Sequence, residues 1–187
     1  MKEEELIKEC LDGYKKALIE VDVSKNLIKL KNLLLETKQN KKKVFIVGNG
    51  GSAAIASHVA VDFTKQGGVS TLTFNDSDLI TCFSNDYGYD YWVEKSIEFY
   101  CNKGDTLILI SSSGKSKNII NAALKAKALS LSLVTFTGFS KENILLELGD
   151  ISFWVDSRAY NIIENTHQIW LLMICDLIIG KREYLPN

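Results

Sequence analysis

The sequence has little that would divide the chain into parts or cross-link it. Its one proline is Pro186, so no proline-rich linker or hinge separates two domains. The four cysteines show no CxxC motif and no paired spacing, and we therefore expect reduced thiols in a cytoplasmic protein rather than disulfides. Lys and Arg number 22 against 23 Asp and Glu, so no net field attracts nucleic acid or an anionic membrane.

No segment of the sequence predicts secretion or membrane insertion. The first residues, MKEEE, are acidic and do not resemble a signal peptide. The most apolar stretch, residues 169–179, is interrupted by Asp176 and is shorter than the roughly 18 residues that span a bilayer. The 187 residues suffice for one domain with a substantial core. We expect a single domain over residues 1–187, with no membrane and no nucleic-acid partner.

Two strand-to-helix loops carry the clearest functional signal. Residues 44–47 read VFIV, an apolar strand, and GNGGS follows at 48–52, where the last serine is suited to begin a helix. Residues 106–110 read TLILI, and SSSGKS follows at 111–116. A strand that turns tightly into a helix directs unpaired backbone N–H groups and the positive helix end towards an anion. Together the two loops predict a phosphorylated ligand.

Neither loop is a nucleotide-binding motif. The first lacks the GxxxxGK[ST] pattern of a P-loop and does not complete the GxGxxG dinucleotide fingerprint. The second has more hydroxyls than glycines, which suits a compact phosphate monoester better than a pyrophosphate. A nucleotide-binding regulator is therefore disfavoured.

Alternating apolar strands and helices define the predicted fold. The expected strands are 43–47, 69–74, 105–110, 131–136 and 151–155. Five short strands separated by helices predict an α/β domain of three layers, with a five-stranded parallel sheet and helices on both faces. Two amphipathic helices, at 3–22 and 24–39, precede the first strand. We expect this extension, residues 1–40, to pack on the domain and on neighbouring subunits of a homo-oligomer.

Five segments of the chain resemble the sugar isomerase (SIS) domain family. They read GNGGSAA at 48–54, HVAVDFT at 58–64, NDYGY at 85–89, ISSSGKSKN at 110–118 and TFTG at 135–138. Within that family the chain is most similar to the phosphoheptose (sedoheptulose 7-phosphate) isomerases of bacterial surface-carbohydrate synthesis. The resemblance implies a flavodoxin-like SIS fold, a tetramer with active sites at subunit interfaces and, in several members, bound zinc.

The resemblance also implies which residues hold the ligand. Those implied to bind the sugar phosphate belong to the serine-rich loop and are Ser111, Ser112, Ser113 and Ser116. Those implied to contact the sugar are Asn49, Gly50, Ser52, Asp86, which binds a hydroxyl, and Asn161 at the start of the last helix.

The chain departs from the family at both catalytic positions. The family's glutamate base is Asp62 here, which retains the carboxylate on a side chain shorter by one methylene. The family's histidine acid is replaced on the last helix by Leu172, which cannot transfer a proton. Glu164 stands at the family's glutamine position, on the same helix face as residue 172. We hypothesise that Glu164 faces Asp62 across a closed site and acts as the acid, with Asp62 as the base.

The same positions bear on metal binding. His58 and Asp62 have the i, i+4 spacing of helical metal ligands, and Glu164 and Leu172 occupy the other ligand positions of the zinc-bearing relatives. Because leucine removes one ligand, we expect that no cofactor is required. A zinc ion on His58, Asp62 and Glu164 is the alternative. His167 is interpreted as a helix histidine that bonds to backbone or packs at an interface.

The predicted function is a phosphosugar aldose–ketose isomerase similar to sedoheptulose 7-phosphate isomerase, which moves a proton beside a carbonyl through a cis-enediol. The alternative is a non-catalytic SIS-fold protein that binds sugar phosphates or serves as a scaffold, like a tetrameric factor that assists bacterial replication initiation. Leu172 favours the alternative, whereas Asp62 and the two intact loops favour the enzyme.

Overall fold

The computed structural model of the chain describes residues 2–182, so Pro186 lies outside the described residues. The helices are α1 (Glu3–Leu18), α2 (Ser24–Gln39), α3 (Gly51–Lys65), α4 (Ser77–Tyr87), α5 (Trp92–Tyr100), α6 (Lys117–Ala128), α7 (Ile144–Leu148) and α8 (Tyr160–Ile179). The strands are β1 (Val44–Gly48), β2 (Thr71–Leu72), β3 (Thr106–Ser111), β4 (Ser132–Thr137) and β5 (Ile151–Trp154).

The five strands form one parallel sheet in the order β2-β1-β3-β4-β5, which confirms the predicted fold class. The chain moves outward from β1 to β2 and then crosses back to β3, so the strand order reverses between β1 and β3. Open α/β sheets bind ligands at such a point, beyond the carboxyl ends of the strands. The register pairs Gly48 of β1 with Ile110 of β3, so the two predicted ligand loops begin side by side.

Apolar side chains alternate between two cores, one on each face of the sheet. Ile108 and Ile110 of β3 point towards α2, α3 and α8, whereas Leu107 and Leu109 point towards α4, α5, α6 and α7. All four side chains are fully buried. Burial on both faces explains why the strands are continuously apolar in sequence. The sheet is therefore a rigid base for the loops at its carboxyl edge.

Two elements, β2 and α1, are shorter than predicted. β2 has only residues Thr71–Leu72 of the expected 69–74, since the N–H of Val69 donates to the Phe63 carbonyl of α3 and the carbonyl of Val69 accepts from the Thr71 hydroxyl. α1 ends at Leu18 rather than at residue 22. The Asp22 carboxylate accepts the Ser24 N–H at 3.0 Å, which turns the chain into α2.

The two leading helices pack against α8, whose length and apolar composition this packing explains. The Tyr14 hydroxyl of α1 donates to the Asn161 carbonyl and accepts from the Asn165 side chain. Within residues 2–182, α8 is the one helix that could cross a membrane by length and composition alone. Its Trp170 and Leu171 side chains are nevertheless buried in the core between α8 and the sheet.

Candidate active site

A cavity of about 270 Å³ opens at the carboxyl edge of β1 and β3, where the strand order reverses. Its lining residues are 49–52, 110–113, Ser116, Tyr160 and Glu164. We call it the switch-point cavity. It brings together both loops predicted from sequence and adds the first turn of α8.

The GNGGS loop turns β1 into α3 at the cavity wall. Gly50 precedes the helix with φ 54°, a left-handed conformation that glycine adopts without strain, and has no side chain to cap it. Gly48 lies directly against Ser52, where a Cβ would come within 2.6 Å of the serine. The close turn aims the first backbone N–H groups of α3 at the cavity.

Asn49 is held by an amide pair that ties the two loops together. Its Nδ2 donates to Asn118 Oδ1 at 3.0 Å, and Asn118 Nδ2 donates back to Asn49 Oδ1 at 2.9 Å. The Tyr89 hydroxyl also donates to Asn49 Oδ1, at 3.3 Å. The oxygen of Asn49 is therefore fully used, and one N–H remains to donate to a sugar oxygen.

The SSSGKS loop presents four hydroxyls near the N-terminus of α6. Ser111 Oγ donates to Ser116 Oγ at 3.4 Å, and Ser113 Oγ accepts the Lys115 N–H at 3.2 Å. Ser116 is the residue before α6, yet its hydroxyl makes no capping bond to that helix. Both hydrogen bonds are long, so the serine hydroxyls are available to a stronger acceptor.

Ser112 is the most informative of these serines. Ser112 lines the cavity although the residue is only 6% exposed, and its Oγ is buried with no hydrogen-bond partner among the described residues. Because buried polar groups are usually hydrogen-bonded, this hydroxyl is a candidate donor to a ligand. Only the Ser112 backbone is engaged, because its carbonyl accepts the Gly138 N–H at 2.8 Å.

Glu164 of α8 is the one charged residue among those that line the cavity in the described part of the chain. Its carboxylate lies against Gly51, the first residue of α3, in the space that a Cβ would need. Sequence reasoning missed Tyr160 as a lining residue. Its position one turn before Glu164, on the same helix face, is the signal that would have found it.

Asp62 does not lie in the cavity. It follows Gly51 by eleven residues on α3, or about 16 Å along the helix axis. α3 and α8 run in the same direction, so Gly51 meets Glu164 at one end while Asp62 meets Cys175 near the other, with Cys175 Sγ 3.6 Å from the Asp62 carbonyl. The hypothesis that Glu164 faces Asp62 is therefore wrong within one chain.

The candidate zinc ligands are likewise divided. His58 Nε2 lies 3.4 Å from Asp62 Oδ2, with 53% of the histidine and 24% of the aspartate side chain exposed. Glu164 lies at the other end of α3, so the three residues do not form one metal site within residues 2–182. A single chain offers zinc two ligands of the three.

Two further predicted contacts lie outside the cavity lining in this chain. The Asp86 carboxylate of α4 is exposed and accepts from the Asn85 side chain at 2.9 Å. Asn161 is exposed beside Tyr160, and its carbonyl accepts the Tyr14 hydroxyl. Asn49, Gly50, Ser52 and the four serines are, by contrast, all in the lining.

His167 cannot replace the missing acid. It is fully buried, and its Nε2–H donates to the Thr137 carbonyl at 3.0 Å, as the interpretation of a backbone-bonded helix histidine predicts. Burial lowers the pKa of His167 to about 4, and the bond to Thr137 only partly opposes this shift. The imidazole is therefore neutral at physiological pH. Leu172 packs partly buried against the same core.

Comparison with known proteins agrees with this geometry. The chain belongs to the SIS domain family, whose model matches residues 14–138. Its relatives include the phosphoheptose isomerase of Helicobacter pylori (strain P12), which is 35% identical over 153 residues, 79% of each chain. The resemblance to phosphoheptose isomerases predicted from sequence is thereby confirmed.

Solved structures lead to the same family. A phosphoheptose isomerase from Francisella tularensis superposes with a TM-score of 0.89 at 25% identity, over 97% of this chain and 100% of that one. A phosphoheptose isomerase from Neisseria gonorrhoeae gives a TM-score of 0.85 at 28% identity, over 94% and 96%. The fold, including the two leading helices, is that of these enzymes.

Proposed function

We propose that the chain is a phosphosugar aldose–ketose isomerase of the sedoheptulose 7-phosphate type, acting in bacterial surface-carbohydrate synthesis. The observation that carries the proposal is the buried, unpartnered Ser112 hydroxyl in a cavity rimmed by three more serines and the start of α6. A phosphate dianion accepts hydrogen bonds from such donors, and bonds to a charged acceptor are about twice as strong as neutral ones. The helix N-terminus adds a favourable field.

Moving a proton between adjacent carbons requires a base and an acid near the sugar. Glu164 is the carboxylate on the cavity wall, with Tyr160 next to it, and it can exchange a proton with the bound sugar. Asp62 and position 172 lie about two to three turns further along α3 and α8. We propose that Asp62 acts as the base towards a cavity of another subunit.

The exposed apolar faces support an oligomer, which we propose is a tetramer with sites between subunits. The exposed residues at helical spacing are Leu6, Ile7 and Leu11 on α1 and Ile169, Met173 and Leu177 on α8. An apolar face of this kind on adjacent helices is typical of protein–protein contact. Light scattering tests the proposal, and a monomeric mass would contradict it.

We propose further that no resident cofactor is required and that the protein acts in the cytoplasm. Proton transfer through an enediol needs only an acid and a base. Zinc bound by His58 and Asp62 remains the alternative. In that case Glu164 of another subunit would have to supply the third ligand. Elemental analysis of protein purified without added metal distinguishes the two. The four cysteines are free thiols, as a reducing compartment favours.

One observation favours the scaffold alternative: no imidazole lines the cavity in residues 2–182, since position 172 is a leucine and His167 is buried in the core. The names of the relatives favour the enzyme. The test incubates the protein with sedoheptulose 7-phosphate and follows the isomeric aldose phosphate by NMR. The control is the double variant Ser113→Ala, Ser116→Ala, which we expect to bind at least about tenfold more weakly. Binding without any isomer would support the scaffold.

A further inference from the structure

The two helix N-termini at the switch-point cavity are not equivalent. α6 begins among hydroxyls and leaves its end open to a ligand, because Ser116 makes no capping bond to it. α3 begins at Gly51, and the space beside Gly51 is filled by the carboxylate of Glu164. The positive end of α3 therefore already faces a negative charge that belongs to the protein.

The fit of Glu164 depends on the absence of a side chain at residue 51. A Cβ on Gly51 would overlap the carboxylate, with Oε1 only 2.8 Å from it. Within residues 2–182 the Glu164 carboxylate forms neither an ion pair nor a hydrogen bond, and no lysine, arginine or histidine lines the cavity. The charge of Glu164 is thus left for whatever enters the cavity.

The SSSGKS loop contributes donors to the same cavity. Ser112 Oγ is buried and unpartnered, and Ser111, Ser113 and Ser116 also line the cavity. A sphere of 270 Å³ is roughly 8 Å across, about one Debye length at physiological salt. A ligand that fills the cavity therefore lies within about one Debye length of both the serine donors and the Glu164 carboxylate.

We propose that Glu164 is a specificity-determining residue that restricts the cavity to sugar monophosphates whose other end is neutral or carries an amine. In a cavity of this size a second anionic group, either a phosphate or a carboxylate, would lie close to the Glu164 carboxylate. Like charges placed together reject a ligand by repulsion rather than by shape. This inference rests on the proposed function, because it takes the SSSGKS loop as the phosphate site.

The test compares two ligands that differ by one phosphate, sedoheptulose 7-phosphate and sedoheptulose 1,7-bisphosphate, by isothermal titration calorimetry. The wild-type protein is expected to bind the monophosphate at least about tenfold more tightly. Glu164→Gln keeps the size of the side chain and removes its charge. This variant is expected to reduce the ratio of the two affinities at least about fivefold, mainly by improved binding of the bisphosphate.

A second pair of ligands separates charge from bulk. Glucosamine 6-phosphate and 6-phosphogluconate have the same chain length and carry an amine or a carboxylate, and the same shift between them is expected in Glu164→Gln. Monophosphate binding shows that both proteins are folded. If the wild-type protein binds the monophosphate and Glu164→Gln leaves both ratios unchanged, the inference fails and the proposed function stands. If neither protein binds any of the sugar phosphates, the proposed function itself fails.

Discussion

Replacing Ser112 by alanine is expected to weaken phosphosugar binding without destabilising the free protein. The Ser112 hydroxyl is buried and has no partner, so its removal breaks no hydrogen bond in residues 2–182. A buried hydroxyl without a partner costs stability, about 1–3 kcal/mol when water does not reach it. The free energy of unfolding should therefore stay constant or rise by up to about 1 kcal/mol.

Binding should respond in the opposite direction. In the complex the Ser112 hydroxyl donates to a phosphate oxygen, and such a bond to a charged group is worth about 1.5–3 kcal/mol. Its loss corresponds to a dissociation constant raised by roughly 10- to 150-fold. Calorimetric titration with sedoheptulose 7-phosphate measures the affinity, and urea unfolding without ligand measures the stability.

Ser96→Ala is the matched control. Ser96 is also buried, but its Oγ donates to the Trp92 carbonyl at 2.8 Å within α5, away from the cavity lining. This variant should lower the free energy of unfolding by about 0.5–1 kcal/mol and leave the affinity unchanged. Wild-type affinity in Ser112→Ala would refute the assignment of the cavity as a phosphate site. An equal loss of affinity in Ser96→Ala would show that the effect is not local.

Three further predictions concern α3 and α8. Asp62→Asn should reduce turnover by about two orders of magnitude or more, while phosphosugar affinity stays within a few fold of wild type. Full activity in this variant would exclude Asp62 as the base. Leu172→His should raise turnover, because a positioned acid contributes about 10²–10⁴-fold, whereas unchanged turnover in a folded, ligand-binding variant would contradict this. The pKa of His167 is lowered to about 4, so the unfolded chain binds a proton that the folded chain does not. The free energy of unfolding should therefore fall by up to about 3 kcal/mol between pH 6.5 and pH 4. In urea unfolding, the free energy of unfolding of His167→Gln should depend less on pH than that of the wild type. The same pH dependence in both proteins would contradict the role given to His167.

The sheet and the two loops that line the cavity could be predicted because they depend on local signals. Apolar strands and helical periodicity gave the element order, and the turn into a helix after each strand gave the loop positions. The pairing of Gly48 with Ile110 then follows from parallel strands that end together. The short β2 could not be predicted, because strand periodicity does not report that the Val69 N–H bonds to the Phe63 carbonyl near the end of α3.

The sequence patterns do not determine where along their helices the catalytic candidates lie. Helical periodicity reports which face a residue shares and not how far along the axis it lies. Asp62 therefore lies about 16 Å along α3 from Gly51, the residue that the Glu164 carboxylate contacts. The amide pair of Asn49 and Asn118 was missed for a related reason, since it joins residues 69 positions apart.

The most direct test of the proposed isomerase is exchange of the carbon-bound proton of sedoheptulose 7-phosphate in deuterated water, followed by proton NMR. Formation of an enediol exchanges the proton next to the carbonyl even when net conversion is slow. The wild-type protein should incorporate deuterium at that carbon well above the protein-free rate, and the double variant Ser113→Ala, Ser116→Ala should lose most of this activity at subsaturating ligand. Bound sugar phosphate with no deuterium above the protein-free rate would contradict the proposed isomerase.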